Sequence, residues 1–136
     1  MSKGTKQPVQ SKKKENTIAD DYIEKIKVKT PTRNQKVGNL SGGNQQKVVV
    51  GKWLNSEPDI LIMDEPTRGI DVGAKREIYE IINSLVAQGK AVILISSELP
   101  EVLGMSDRVL VMKDDAIVAE LTGEDINPVE VMRYAL

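Results

Sequence analysis

The sequence has no histidine, no cysteine and no phenylalanine, and its aromatics are three tyrosines and one tryptophan. Without histidine the chain lacks the commonest general base and metal ligand near neutral pH. Without cysteine it has neither a disulfide nor a thiolate metal site, which fits a reducing compartment. A core has to be built from Ile, Leu, Val and Met. The apolar runs fall well short of the ~20 residues that cross a bilayer. The start of the chain has no apolar segment of the secretory-signal kind. The chain itself is expected to be soluble, and 136 residues allow one domain at most, with a moderate core.

Charge of neither sign dominates, since the formal net charge is -1, but it is unevenly spread. Residues 1–36 hold ten Lys/Arg against four Asp/Glu, and the remainder holds nine against sixteen. The basic start has no aromatic interleaving apart from Tyr22. It reads as a solvated face or tail rather than a nucleic-acid surface. Residues 1–10, polar with Gly4 and Pro8, read as a flexible basic tail.

Against these absences, two stretches stand out. The first is Asn39-Leu40-Ser41-Gly42-Gly43-Asn44-Gln45-Gln46-Lys47. Ser41 is a good N-cap, whose hydroxyl is expected to satisfy a free backbone N–H of the first helical turn. Gly42 and Gly43 let a ligand approach the backbone, and a helix start with free N–H groups attracts phosphate. Taken alone, Ser-Gly-Gly reads more readily as a plain helix cap. The helix that follows is expected over residues 42–55, burying Val48, Val49, Trp53 and Leu54, with Pro58 beyond it.

The second is Asp59-Ile60-Leu61-Ile62-Met63-Asp64-Glu65. A short apolar run between Pro58 and Pro66 reads as a strand buried on both faces. It ends in two carboxylates that strand alternation sends to different sides. Either one faces a metal and the other a water, or both are solvated.

Around these stretches the pattern is mixed. Residues 12–27 carry a helical stripe of Ile18, Tyr22, Ile23 and Ile26. Pro31 ends regular structure, and a polar loop leads to Asn39. A loop over residues 67–71 precedes an amphipathic helix over 74–88, with Ile78, Ile81, Ile82 and Leu85 on one face and Gly89 as C-cap. Residues 91–96 are a second buried strand. Strand, helix and strand make a βαβ unit with parallel strands. A short helix follows Pro100. Strands over 109–112 and 116–121 form a hairpin turning at Asp114-Asp115, and residues 128–136 form a last short helix.

Three motifs in order carry a family resemblance. Leu40-Ser41-Gly42-Gly43-Asn44-Gln45-Gln46-Lys47, Leu61-Ile62-Met63-Asp64-Glu65-Pro66 and Thr67-Arg68-Gly69-Ile70-Asp71 resemble the signature motif, the Walker B strand with its glutamate, and the D-loop of an ABC-transporter ATPase. The Asn-Gln-Gln-Lys ending and the run from Arg68 to Lys75 resemble, more narrowly, the second cassette of bacterial simple-sugar importer ATPases of the ribose, galactose and xylose type. The resemblance runs from about residue 11 to the C-terminus. It implies an α/β fold: a partial P-loop NTPase fold, mainly parallel sheet flanked by helices. Residues 11–57 would be part of the helical subdomain with the start of the signature helix. Residues 58–136 would be the C-terminal part of the RecA-like core.

The resemblance also implies roles. Asp64 would hold Mg²⁺ through a water, and Glu65 would position or deprotonate the attacking water. Ser41, Gly42, Gly43 and Gln45 would meet an ATP held by another cassette, and Asp71 would lie between cassettes. Arg68 reads equally as a surface arginine or a contact. Partners would be a cassette carrying the phosphate loop, transmembrane permease subunits and, indirectly, a sugar-binding protein. The place would be the inner face of the cell membrane, reached from the cytoplasm.

The sequence departs from the family in three places. It contains no Gly-x-x-x-x-Gly-Lys-Ser/Thr phosphate loop. No glutamine loop is recognisable, since Gln7 and Gln10 lack its context. The position of the switch histidine is Ser97, whose hydroxyl hydrogen-bonds but carries no charge. The chain is therefore expected to start inside the helical subdomain and, alone, neither to bind ATP tightly nor to hydrolyse it. Without the phosphate-loop strand it is expected to self-associate, rearrange its strands or be marginally stable unless the missing half is present. Two further readings stand beside this one. One is a non-catalytic interaction or regulatory module docking on an intact cassette. The other is a soluble ABC ATPase of the DNA-repair or translation type, which neither heptads nor zinc cysteines support.

Overall fold

Proline and glycine punctuation divides this chain close to where its elements end. A computed structural model describes residues 11–136; the basic tail expected over 1–10 lies outside the described residues. In chain order the elements are α1 (Lys12–Lys25), α2 (Gly42–Leu54), β1 (Ile60–Asp64), α3 (Val72–Ala87), β2 (Ala91–Ile95), α4 (Leu99–Met105), β3 (Arg108–Lys113), β4 (Ala116–Thr122) and α5 (Pro128–Ala135). Short 3-10 turns lie at Val37–Asn39 and Gly123–Asp125. The described residues fall into two units. The first holds residues up to Pro58 together with Gly69–Lys75, and the second holds Asp59–Arg68 and Arg76–Leu136.

In the first unit, the chain leaving α1 contributes Ile26 and Val28 to the core, and α2 contributes Val50 and Leu54. Gly51 permits the close approach: a Cβ there would lie 2.9 Å from Ile26 Cδ1. The buried stripe of α2 is Gly43, Lys47, Val50, Gly51 and Leu54, spaced as one helical face. It is not the stripe that hydrophobicity suggests. Leu54 is buried as expected, but Val49 and Trp53 are 47% and 64% exposed. The physical reason is Lys47, which is 1% exposed. Its ammonium donates to the Lys27 carbonyl at 2.9 Å, so a charged side chain occupies the middle of the inward face. Lys27, just past the end of α1, is in the left-handed region with φ 53°. Arg33 pairs with Asp20 of α1. Burial, followed by the negative charge of Glu57, raises the Tyr22 hydroxyl above the ordinary pKa of 10.0.

In the second unit, β1 and β2 pair in parallel, with Ile62 opposite Ile93 and Asp64 opposite Ile95. The strand expected to be buried on both faces is buried on one. Leu61 and Met63 are 6% and 7% exposed, whereas Ile60 and Ile62 stand 62% and 68% exposed. Ile93 and Ile95 of β2 share that open face by register and are also exposed. A strand is buried on both faces only when both faces are covered, and among the described residues one is. Helix α3 buries Ile78, Ile82 and Leu85 as its periodicity requires. It ends in a Schellman motif at Gly89, φ 84°, where the Gly89 and Lys90 amides donate to the carbonyls of Val86 and Leu85.

The antiparallel hairpin β3–β4 turns at Asp114 and Asp115, both with positive φ, the requirement of a two-residue type I′ turn. Its inner face contributes Val109, Val111 and Leu121 to a cluster with Val131 of α5, flanked by Leu99, Val102 and Leu103 of α4. Asn127 caps α5 by accepting the Glu130 amide at 3.0 Å. No helix among the described residues is long and apolar enough to cross a membrane.

Candidate functional site

The sequence-predicted site residues divide between the two units. Ser41, Gly42, Gly43, Gln45 and Asp71 are in the first, and Asp64, Glu65 and Ser97 are in the second.

In the first unit the start of α2 meets the segment 70–74. Gly43 is buried, and a Cβ there would sit 2.5 Å from the Ala74 Cβ, inside any real contact; one at Gly42 would lie 3.5 Å from Ile70 Cγ2. No other residue type at position 43 leaves this packing intact. Asp71 caps its own helix, because its Oδ1 accepts the Ala74 amide at 2.9 Å. Gln45 donates through Nε2 to the Leu40 carbonyl at 2.8 Å, so its amide is turned onto the loop that precedes the helix.

Ser41 corrects an expectation. Its backbone is in the extended N-cap conformation, yet its side chain makes no capping hydrogen bond. Its Oγ instead accepts the Asn44 side-chain amide, Nδ2, at 2.8 Å. The Asn44 Oδ1 in turn accepts the main-chain N–H of Lys29 at 2.7 Å. Asn44 has acquired a position that sequence reading passed over. The only signal for it was that an amide follows the Ser-Gly-Gly run.

In the second unit β1 ends in Asp64, whose carboxylate is exposed on the same face as Ile60 and Ile62. The chain then turns sharply. Glu65 adopts φ 47°, a left-handed conformation that costs a non-glycine residue about 1–2 kcal/mol. Alternation along the strand therefore no longer governs where its side chain goes. Its amide donates to the Ile95 carbonyl at 2.8 Å, and its Oε1 accepts the Ser97 amide at 2.8 Å. Glu65 and Ser97 are thus brought together, through the main chain of Ser97 rather than its exposed hydroxyl. The Arg68 amide donates to the Glu65 carbonyl at 3.1 Å and closes the turn, while the Arg68 side chain is exposed.

Behind this turn lies a pair that sequence reading missed. Thr67, 1% exposed, donates through Oγ1 to Oε1 of Glu101, 3% exposed, at 2.6 Å. The second carboxylate oxygen of Glu101 is buried without a hydrogen-bond partner. The contact joins the turn after β1 to α4, 34 residues later in the chain, and no local pattern announces it.

Among the described residues no three acidic or other metal-ligating side chains cluster. The single exposed carboxylate of Asp64 fits an ion that keeps most of its waters and takes one carboxylate, as Mg²⁺ does beside phosphates.

Residues 2–68 match the family described as ABC transporter. A ribose import ATP-binding protein of Clostridium tetani is 56% identical over 126 residues, covering 93% of this chain and 25% of that protein. A xylose import ATP-binding protein of Thermoanaerobacter pseudethanolicus is 59% identical over 117 residues, covering 86% and 23%. The chain spans about a quarter of the length of these curated relatives. Among solved structures, a nucleotide-free ATP-binding cassette from an ABC transporter superposes with a TM-score of 0.78 at 28% identity, covering 93% of this chain and 53% of that one.

Proposed function

The chain belongs to the ABC-transporter ATPases and carries a partial copy of their P-loop NTPase fold, and from that premise we propose that it supplies one face of a composite ATP site in an importer of simple sugars. Residues 11–57 are read as part of the helical subdomain and residues 58–136 as the C-terminal part of the ATPase core. The relatives named for ribose and xylose import support the sugar branch.

The observation that carries the proposal is the Glu65 carboxylate, held at 2.8 Å by the Ser97 amide at the end of β1, one residue from the exposed carboxylate of Asp64. One Glu65 oxygen is fixed by this bond and the other is left to accept from a water. That water attacks the γ-phosphorus, its proton passes to the carboxylate, and ADP leaves. Catalysis of this step is mostly positioning and charge stabilisation, so a rigidly held carboxylate is what the chemistry needs. Asp64 would hold Mg²⁺ through a coordinated water, and the ion, when bound, offsets charge on the phosphate oxygens. The N–H groups at the start of α2, together with Ser41, Gly42, Gly43 and Gln45, would face an ATP presented by a second cassette, with Asp71 at the boundary. Permease subunits would hold the pair against the cytoplasmic face of the membrane and connect it to a sugar-binding protein.

No phosphate loop occurs in the sequence, so the chain alone should neither bind ATP–Mg²⁺ at micromolar concentration nor turn it over. In an importer assembled with a phosphate-loop cassette, Glu65→Gln and Gly43→Asp should each abolish turnover while the partner still captures ATP. Turnover left unchanged by both would remove these residues from the mechanism and favour a docking or regulatory module.

A further inference from the structure

The hydroxyl of a helix-capping serine normally takes a backbone N–H of the first turn. Ser41 does not, and the side chain that has claimed its oxygen is fixed at both ends. Asn44 Oδ1 accepts the Lys29 main-chain N–H at 2.7 Å. An amide flip would set two donors against each other there, so the orientation of Asn44 is determined. Its Nδ2 then donates to Ser41 Oγ at 2.8 Å. With that oxygen accepting from Asn44, the Ser41 proton cannot point toward Asn44 and must be offered elsewhere. An ionised phosphate presents only acceptors to a neighbouring group, so a hydroxyl committed to donating is the polarity it requires.

We propose that Asn44 is a positioning residue: it keeps the Ser41 hydroxyl a donor toward a phosphate oxygen and ties that polarity to the chain leaving α1 at Lys29. This rests on the reading that Ser41 faces a nucleotide. The same segment is held to α2 a second time, one turn further on, by the buried Lys47 ammonium on the Lys27 carbonyl at 2.9 Å. Altering Asn44 therefore leaves the two helices joined and changes the hydroxyl.

The test is a double-mutant cycle in the assembled importer, reading KM for ATP and kcat. Asn44→Asp keeps the acceptor for Lys29 and the size of the side chain, but replaces the donor to Ser41 with an acceptor that draws the hydroxyl proton back. Ser41→Ala and Asn44→Asp should each raise KM roughly tenfold or more, the scale of one hydrogen bond to a charged group. Asn44→Asp introduced into Ser41→Ala should add less than about twofold, because no hydroxyl remains to misdirect. A full additional factor in the double variant would mean that the new charge repels the nucleotide directly, and would overturn the proposal, as would an Asn44→Asp importer with unchanged KM. If Ser41→Ala itself changes nothing, the nucleotide-facing reading of Ser41 falls and the proposal with it. If Ser41→Ala is impaired but the effects add, the reading stands and the proposal alone fails.

Discussion

The Glu65 carboxylate accepts its hydrogen bond from the main chain of Ser97, 32 residues later, and not from the Ser97 hydroxyl. A main-chain N–H is supplied by every residue except proline. Ser97→Ala should therefore retain importer ATPase activity to within about threefold, while Ser97→Pro should lower it by roughly tenfold or more through loss of one charge-assisted hydrogen bond. Steady-state turnover in the assembled importer checks both, and equal loss in the two variants would assign the effect to the hydroxyl.

Gly43→Ala places a methyl 2.5 Å from the Ala74 Cβ. A better helix former at this position would ordinarily stabilise α2 by up to about 1 kcal/mol. The clash should reverse the sign, with a net loss of about 1–3 kcal/mol, the range for overpacking. Urea denaturation of the two forms reads the difference.

Thr67→Val should cost about 1–3 kcal/mol, because it leaves the Glu101 carboxylate buried with neither oxygen partnered. Thr67→Ser should restore most of the stability. Replacing both groups, as in Thr67→Val with Glu101→Leu, should cost less than Thr67→Val alone, since no unsatisfied charge remains. Chemical denaturation of the three variants separates these outcomes.

Asp115→Gly removes a side chain from a residue at φ 61° in the β3–β4 turn. Asp-Gly is a preferred pair for a type I′ turn, and relief of the left-handed strain should stabilise the hairpin by about 1 kcal/mol. A raised thermal midpoint would bear this out, and a lowered one would mean that the aspartate makes a compensating interaction.

What the sequence displays follows the reach of each interaction. Helix α3 was readable because its stripe of Ile78, Ile82 and Leu85 and its Gly89 stop are local, decided within a few turns. The hairpin at Asp114-Asp115 was readable for the same reason. The inward face of α2 was not: Gly43, Lys47 and Gly51 carry no apolar signal, and they are buried because of what lies opposite them. The same holds for β1, whose uninterrupted apolar run cannot say whether one face or two are covered. In the candidate site, residue types marked Ser41 and Glu65, and the family resemblance alone marked Ser97. The bonds that define their geometry, Asn44 to Lys29, Ser97 to Glu65 and Thr67 to Glu101, connect residues 15 to 34 positions apart, beyond any periodicity.

The burial of Lys47 gives this chain a built-in chemical reporter. Amine-reactive reagents need a solvent-exposed, deprotonated amine, so exposed lysines such as Lys12 and Lys52 should label quickly. Lys47 should label only when α2 lifts from the chain at Lys27. Its labelling rate, read by mass spectrometry against those internal standards, would time the opening of α2 without a probe being introduced.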